Sequence, residues 1–339
     1  MKRLNELLDV ERLDAILIRR EPSIRAFSHV ESDNAALLLT RRGARLYTDF
    51  RFVAAVHRTA PDLAVSDIKG LYAALNRLGG VRLGVEFGIS HASFLKMTKK
   101  CPRATFVDVS ERLAELRAVK SAKEIAGIAK AAVLNDEIWL GVRENLRPGM
   151  TEREIAAQID YLMTSMGDGP AFETIVCVGK NAAECHHRPD RTVWTGEEPI
   201  LVDMGVRLDG WCSDMTRNVV PPHPTRLYRK IYDLVLRANE AAIKAARPGM
   251  TGKALDRVAR KIIADAGYGE AFGHSLGHGV GVEVHESPMA SRRSKDVLKP
   301  GMFVTIEPGV YLEGRLGVRI EDLVVITADG CDVLSRSEK

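Results

Sequence analysis

The chain is poor in the features that would set it apart from an ordinary globular protein. Aromatic residues are 6% of the sequence and no basic tract interleaves them, so nucleic acid is excluded as an expected partner; the formal charge of +4 over 339 residues is mild. No apolar run approaches the ~18 residues that a membrane-spanning helix needs, so no membrane partner is expected either. The N-terminus, MKRLNELLDVERLDAILIRR, scatters charges among its apolar residues and lacks a small-residue cleavage site, and no signal peptide is read there. Cys101, Cys177, Cys185, Cys212 and Cys331 are odd in number and include no CxxC pair, which argues against a disulfide framework and a zinc knuckle. Reduced thiols in a soluble, cytoplasmic protein are the expectation.

What the chain does have is length and apolar content. With 45% hydrophobic residues among 339, it can bury a large core, and domain-size statistics suggest two domains. The first part alternates LDAILI, AALLLT, RLGVEF and ATFVDV, which read as strands, with FRFVAAVHRTA, LYAALNRL and SHASFLKMTKK, which read as helical. That alternation predicts a small α/β layer domain. Near Glu115 to Lys120 it gives way to a long Ala-, Lys- and Glu-rich helical stretch without a Pro/Gly linker, which places the domains at residues 1–117 and 118–339.

The second part contains a repeat. RPGMT occurs at Arg147–Thr151 and again at Arg247–Thr251. Each copy closes an amphipathic helix with Pro-Gly and starts another from a Thr N-cap. A convenient corner would explain the motif alone, and KPGM at Lys299–Met302 shows that the chain uses such turns elsewhere. The residues that follow argue for more. His186, Asp203 and Asp214 trail the first copy, and His285, Glu307 and Glu321 trail the second, at offsets of 99, 104 and 107. A duplicated α/β unit accounts for this spacing.

Each of the four carboxylates lies in an apolar, strand-like segment. A buried ionised carboxylate costs several kcal/mol unless a cation or a full set of hydrogen bonds compensates it. One such residue is commonly a satisfied cap; four in duplicated positions are not, and the local cations Arg217 and Arg319 are too few to pair with them. Metal answers the need. His278, between glycines in GHG, can join the carboxylates. Oxygen ligands with one nitrogen and no sulfur favour Mn, Co, Fe(II) or Zn over copper. Five ligands suit a pair of ions about 3.5–4 Å apart, bridged by carboxylates and a water or hydroxide.

The blocks LVDMGVRLDGWCSDMTR, GHSLGHGVGVEVHE, TIEPGVY and GVRIED resemble, in order, those of the pita-bread metallopeptidases (M24), which include methionine aminopeptidase, Xaa-Pro aminopeptidase, prolidase and the metal-free creatinase. NAALLLTRRGARLYTDFRF and LRAVKSAKEI resemble the creatinase-type N-terminal domain of the Xaa-Pro-specific members. The resemblance implies an α/β protein: a small creatinase-type domain followed by a pita-bread α+β domain with a pseudo-twofold internal duplication. It implies that Asp203 binds one metal, His278 and Glu307 the other, and that Asp214 and Glu321 bridge them. Glu307 would also handle the proton of the attacking water, with His186 and His285 flanking the reacting amide. His274 would line the substrate pocket and Arg319 would orient a ligating carboxylate. His187 is as well read as an exposed bystander. The cofactors implied are two divalent ions, Mn2+ or Co2+, with Zn2+ or Fe2+ as alternatives, and the oligomer implied is a homodimer.

The resemblance also bears on substrate. Dipeptidase-type members often carry a basic residue just after VHE-x-Pro, able to meet a dipeptide's carboxylate, where this chain has Met289. The expectation is therefore an Xaa-Pro aminopeptidase acting on small peptides with proline second, with Xaa-Pro dipeptidase (prolidase) as the alternative. Methionine aminopeptidase is disfavoured by the N-terminal domain, and a non-catalytic binding protein by the intact ligand positions. Cys185 stands where the family often has Pro before its first catalytic His, and packing is its expected role.

Overall fold

Short, wholly apolar runs need a cover on both faces, and the first unit supplies it. The computed structural model describes residues 2–339 and divides into two units, Met1–Arg117 and Ala118–Lys339. In the first, β1 (Ala15–Ile18) and β2 (Ala35–Thr40) lie at the centre of a sheet and are buried along nearly their whole length. Such runs suit central strands covered on both sides by helices. The helices are α1 (Lys2–Val10), α2 (Glu21–Ser28), α3 (Phe50–Thr59), α4 (Leu71–Arg77), α5 (His91–Lys100) and α6 (Ser110–Ala118). The sheet also contains β3 (Gly43–Thr48), β4 (Ala64–Asp67), β5 (Arg82–Val85) and β6 (Thr105–Asp108), in the order β4-β3-β2-β1-β5-β6. The sequence reading expects β1, β2, β5 and β6 but not β3 or β4. The solvent-facing half of β3 and the short polar run of β4 carry no apolar period, and only the pairing of β3 with β2 and of β4 with β3 makes strands of them.

The helical stretch that follows Glu115 falls into two helices, the second opening at Ser121. After α6 the backbone extends, Val119 bridges Met302, and Lys120 N donates to Gly301 O at 3.0 Å. Ser121 then opens α7 (Ala122–Asn145) with a capping box closed by Glu124. Tertiary pairing outweighs the helix propensity of AVKSAK at this point.

In the second unit, α7 and α8 (Glu152–Met166) cover a sheet of β8 (Ile175–Val178), β9 (Ile200–Met204) and β12 (Met215–Val219). The strands β7 (Gly169–Pro170), β10 (Val206–Leu208) and β11 (Trp211–Cys212) form a small ribbon. In the other half, α9 (Arg226–Ala245) and α10 (Gly252–Asp265) cover β15 (Phe303–Ile306), β18 (Asp322–Ile326) and β19 (Cys331–Val333). Two ribbons complete it, β13 (Gly277–Gly279) with β14 (Glu286–Ala290) and β16 (Gly309–Leu312) with β17 (Leu316–Arg319).

The repeated turn does the same work twice. Thr151 accepts from Glu154 N and Thr251 from Ala254 N, each capping its helix. Gly149 and Gly249 take φ of 98° and 82°, the left-handed region glycine tolerates. Thr151 then bridges Val193, and Thr251 bridges Val297. Gly149 N donates to Trp194 O at 2.8 Å, and Gly249 N to Leu298 O at 2.9 Å. Each half has its own core: Ile138, Trp139, Ile159 and Val202 in one, Ile231, Val235, Ile263 and Val304 in the other. Burying a side chain of this size contributes about 1.5–3 kcal/mol.

The halves differ at the residue after the Thr cap, Glu152 in one and Gly252 in the other. A Cβ on Gly252 would lie 1.9 Å from the carbonyl oxygen of Met289, whereas one on Gly141, inside α7, would meet nothing within 4 Å. Gly252→Ala is expected to destabilise by about 1–3 kcal/mol and Gly141→Ala to stabilise by about 0.5–1 kcal/mol. Urea melts of both variants check the contrast.

Candidate metal centre

The ends of the antiparallel ladders carry the acidic residues. Asp203 lies within β9, opposite Thr216 of β12, and Asp214 immediately precedes β12. The last pair of the β15–β18 ladder is Ile306 with Asp322, so Glu307 and Glu321 are the residues that leave it side by side. Glu321 N donates to Thr216 O at 3.2 Å, joining the two halves. His278 is central in β13, where a Cβ on Gly277 would fall 1.8 Å from Thr305 O; only glycine lets the imidazole strand come so close to β15.

These groups line a cavity of about 510 Å³, which also receives His186, His274, His285 and Arg319. All the site residues named from the sequence therefore face one space. Phe172, Ile175, Val284 and Met289 supply its apolar wall.

Arg319 is buried and spends its donors on the site. Nη2 donates to Asp203 Oδ2 at 2.6 Å, Nη1 to Tyr311 OH at 2.9 Å and to Cys185 O at 3.3 Å, and Nε to Thr216 Oγ1 at 3.0 Å. Thr216 Oγ1 in turn donates to Glu321 Oε2 at 2.7 Å. Arg217, the other local cation, does not face these carboxylates; it pairs with Asp322 at 2.9 Å and donates to Glu321 O. One guanidinium is thus set among four acids.

The donor atoms fit a cation. His278 Nδ1 donates to Gly279 O at 3.1 Å, which leaves Nε2 as a bare lone pair. That lone pair faces Glu307 Oε1 at 3.4 Å and Asp214 Oδ2 at 3.6 Å. An acceptor among acceptors is unfavourable unless a positive charge lies between them. Ligand atoms of Asp214, His278 and Glu321 all come within 4.8 Å of one another. Asp203 Oδ1 is buried with no hydrogen-bond partner among the described residues. Burial and then Glu321 raise the Asp214 carboxyl well above its ordinary range, and burial and then Glu307 do the same to Glu321. Burial pushes Glu307 up to about 8 against the pull of Arg319. Burial and then His285 lower His278 to about 4, so its imidazole is neutral and able to ligate.

Comparison with known proteins agrees with this chemistry. Residues 126–328 match the model of metallopeptidase family M24, and residues 1–119 match the creatinase/prolidase N-terminal domain. The chain belongs to metallopeptidase family M24. It is 36% identical to the Xaa-Pro dipeptidase of Pyrococcus horikoshii, across 100% of this chain and 97% of that one. The crystal structure of the prolidase from Pyrococcus horikoshii OT3 superposes with a TM-score of 0.94 at 35% identity, over 100% and 98% of the two chains. That of an X-Pro aminopeptidase from Thermotoga maritima gives 0.89 at 34% identity, over 97% and 98%. In sequence a creatinase-type N-terminal domain precedes an M24 peptidase domain, and the protein is a metal-dependent hydrolase. No helix among the described residues is long and apolar enough to cross a membrane.

Within this M24 site the structure adds residues that the sequence does not reveal. Tyr311 OH lies between Arg319 and His274 Nε2, 2.9 Å from each. Since His274 Nδ1 donates to Ser275 O at 2.7 Å, Nε2 accepts the phenol proton. Thr305 Oγ1 donates to Glu307 Oε1 at 3.2 Å. These partners are distant in sequence or common in type, so no pattern marks them. His187 is not an exposed bystander: its side chain is 10% exposed, and Nε2 is 2.8 Å from Glu152 Oε2. Burial opposes its protonation, but the Glu152 contact prevails and raises its pKa. Glu152, His187 and Asp190 cluster at metal-ligand spacing, yet both Glu152 oxygens already accept two donors each, from Val178 N and Asn181 and from His187 and Asp190 N. The cluster is an anchor for the loop that carries His186.

The raised acids make metal binding and stability depend on pH. A carboxyl whose folded pKa exceeds its unfolded one favours the fold below the unfolded value, and that contribution is lost as pH rises through the folded value. For Glu307 the window runs from 4.5 to about 8. Chelator-treated protein should lose thermal stability across it, while excess Mn2+, competing with protons for the same oxygens, should offset the loss increasingly as pH rises. Thermal melts with and without Mn2+ must show a gap in Tm that widens with pH.

Proposed function

We propose that the protein is an Xaa-Pro dipeptidase using two divalent ions, Mn2+ or Co2+. The reading is carried by one cavity of about 510 Å³ that gathers the acids, the imidazoles and the apolar side chains of Phe172, Ile175, Val284 and Met289. Its size suits a dipeptide, and the full-length similarity to a protein named Xaa-Pro dipeptidase supports the same substrate class.

In this reading Asp203, Asp214, His278, Glu307 and Glu321 would hold the two ions between them. Bound metal supplies Lewis-acid polarisation of the carbonyl and a water acidic enough to attack near neutral pH. The residues of the chain do the rest. Glu307 would take the water's proton as a carboxylate and pass it to the departing prolyl nitrogen. That nitrogen belongs to a tertiary amide without an N–H, so the delivered proton completes the imino acid product. The rings of His278 and His285 lie tilted at 60° with centroids 4.2 Å apart, which places His285 beside His278, where it would donate to the oxyanion as the carbonyl becomes tetrahedral. His186 approaches from the other half, on the loop that Glu152 anchors. Phe172, Ile175, Val284 and Met289 receive the prolyl ring, whose fixed φ needs little ordering. Arg319 and Tyr311 hold Asp203 and His274 in place.

The Xaa-Pro aminopeptidase expected first from the sequence is the second reading. It is favoured by Met289, which puts no charge on the rim, and by the similarity to the X-Pro aminopeptidase structure.

Release of amino acid from Ala-Pro, Ala-Pro-Ala and Met-Ala-Ser, with Mn2+ or Co2+ supplied to stripped protein, separates the readings. Fastest turnover of Ala-Pro is the expected result; preference for Ala-Pro-Ala would favour the aminopeptidase, and cleavage of Met-Ala-Ser alone would remove both. Asp214→Asn should lose metal and activity together. His285→Ala should keep its metal, measured by atomic emission, while kcat falls about 10²–10³-fold.

A further inference from the structure

A dipeptide differs from a longer peptide chiefly in the free carboxylate on its second residue, which needs a cation close to the prolyl pocket. The cavity lining contains two arginines. Arg319 is excluded, because its donors are committed to Asp203, Tyr311, Thr216 and Cys185 within the wall. Arg188 is different. Its side chain is 83% exposed, and its ion pair is with Glu173, itself 68% exposed, at 3.5 Å. Glu173 follows Phe172 of the apolar wall, so the pair stands on the rim next to the surface that would take the prolyl ring. Met289, which also lines the cavity and is 39% exposed, offers no charge there.

We propose that Arg188 reads the free C-terminal carboxylate of the substrate, exchanging its partner Glu173 for the dipeptide. The inference rests on the Xaa-Pro dipeptidase reading and extends it to a specificity-determining residue. An exposed pair of this geometry is worth little, so giving it up costs little. Guanidinium meets carboxylate through two parallel N–H donors, which rewards a correctly placed carboxylate more than a displaced one. The preceding residue is fixed: His187 is held by Glu152 at 2.8 Å, so the backbone presents Arg188 from a set position while its long side chain swings. Glu173 acts as a gate. It keeps the guanidinium occupied in the absence of substrate and repels a carboxylate that arrives elsewhere on the rim.

The test is steady-state kinetics of Mn2+-loaded enzyme on Ala-Pro and on Ala-Pro-amide, which lacks only the carboxylate charge. For Arg188→Gln, KM for Ala-Pro should rise about five- to tenfold with kcat nearly unchanged, while Ala-Pro-amide kinetics stay as in wild type. Glu173→Gln should lower KM for Ala-Pro about two- to threefold, a gain that misfolding does not produce. Equal effects of Arg188→Gln on the two substrates, or an unchanged KM for Ala-Pro, would overturn the inference while leaving the dipeptidase reading intact. Failure of wild type to cleave Ala-Pro at all would remove both.

Discussion

Uncompensated negative charge is the constraint around which the second unit is built. Asp203, Asp214, Glu307 and Glu321 converge at the ends of two ladders, and the buried cation set among them is Arg319, with Arg217 turned away to Asp322. A lone guanidinium cannot neutralise four acids, and the protein alone would hold them protonated at the expense of the fold. Divalent metal resolves the conflict, since the same oxygens that are unfavourable together become ligands once positive charge lies between them. The bare Nε2 of His278 and the unpartnered Oδ1 of Asp203 belong to the same logic.

Duplication is how the chain brings these groups together. Each half is a helix pair over an antiparallel sheet, and each RPGMT turn pins its second helix to an extended segment that leads toward the strands with the acids. Asn135 of α7 donates to Met204 O and Asn239 of α9 to Ile306 O, so each long helix also clamps the strand bearing Asp203 or preceding Glu307. A buried amide satisfied by a strand carbonyl fixes the depth at which that strand sits. The halves then diverge where their tasks differ. Glu152 anchors the His186 loop through His187, while Gly252 leaves room for the Met289 carbonyl at the corresponding place.

Much of this was legible before any coordinates. Acids in apolar strands, a histidine between glycines and a repeated turn at related spacing point to a metal centre and a duplicated unit by residue chemistry alone. The strands β1, β2, β5 and β6 announce themselves as apolar runs. Other parts were silent. β3 is a strand because β2 gives it a partner and β4 because β3 does, and the break at Val119 exists because Met302 pairs there. Tyr311 and Thr216 matter through contacts with residues far along the chain, which one sequence does not pair, and Thr305 is too common a residue type to stand out. Substrate length was legible least, because Met289 draws attention as a missing charge while Arg188 carries no motif.

The sequence by itself determined the family, the order of the two domains, the chemistry of the donor set and the need for metal, because each follows from residue type and local spacing. Only the tertiary structure decided which of two arginines meets the acids, which nitrogen of His278 is free, that His187 is an anchor, and that Arg188 shares a rim with the apolar wall. Those outcomes depend on groups distant in sequence meeting at hydrogen-bond range, and that proximity is created by folding.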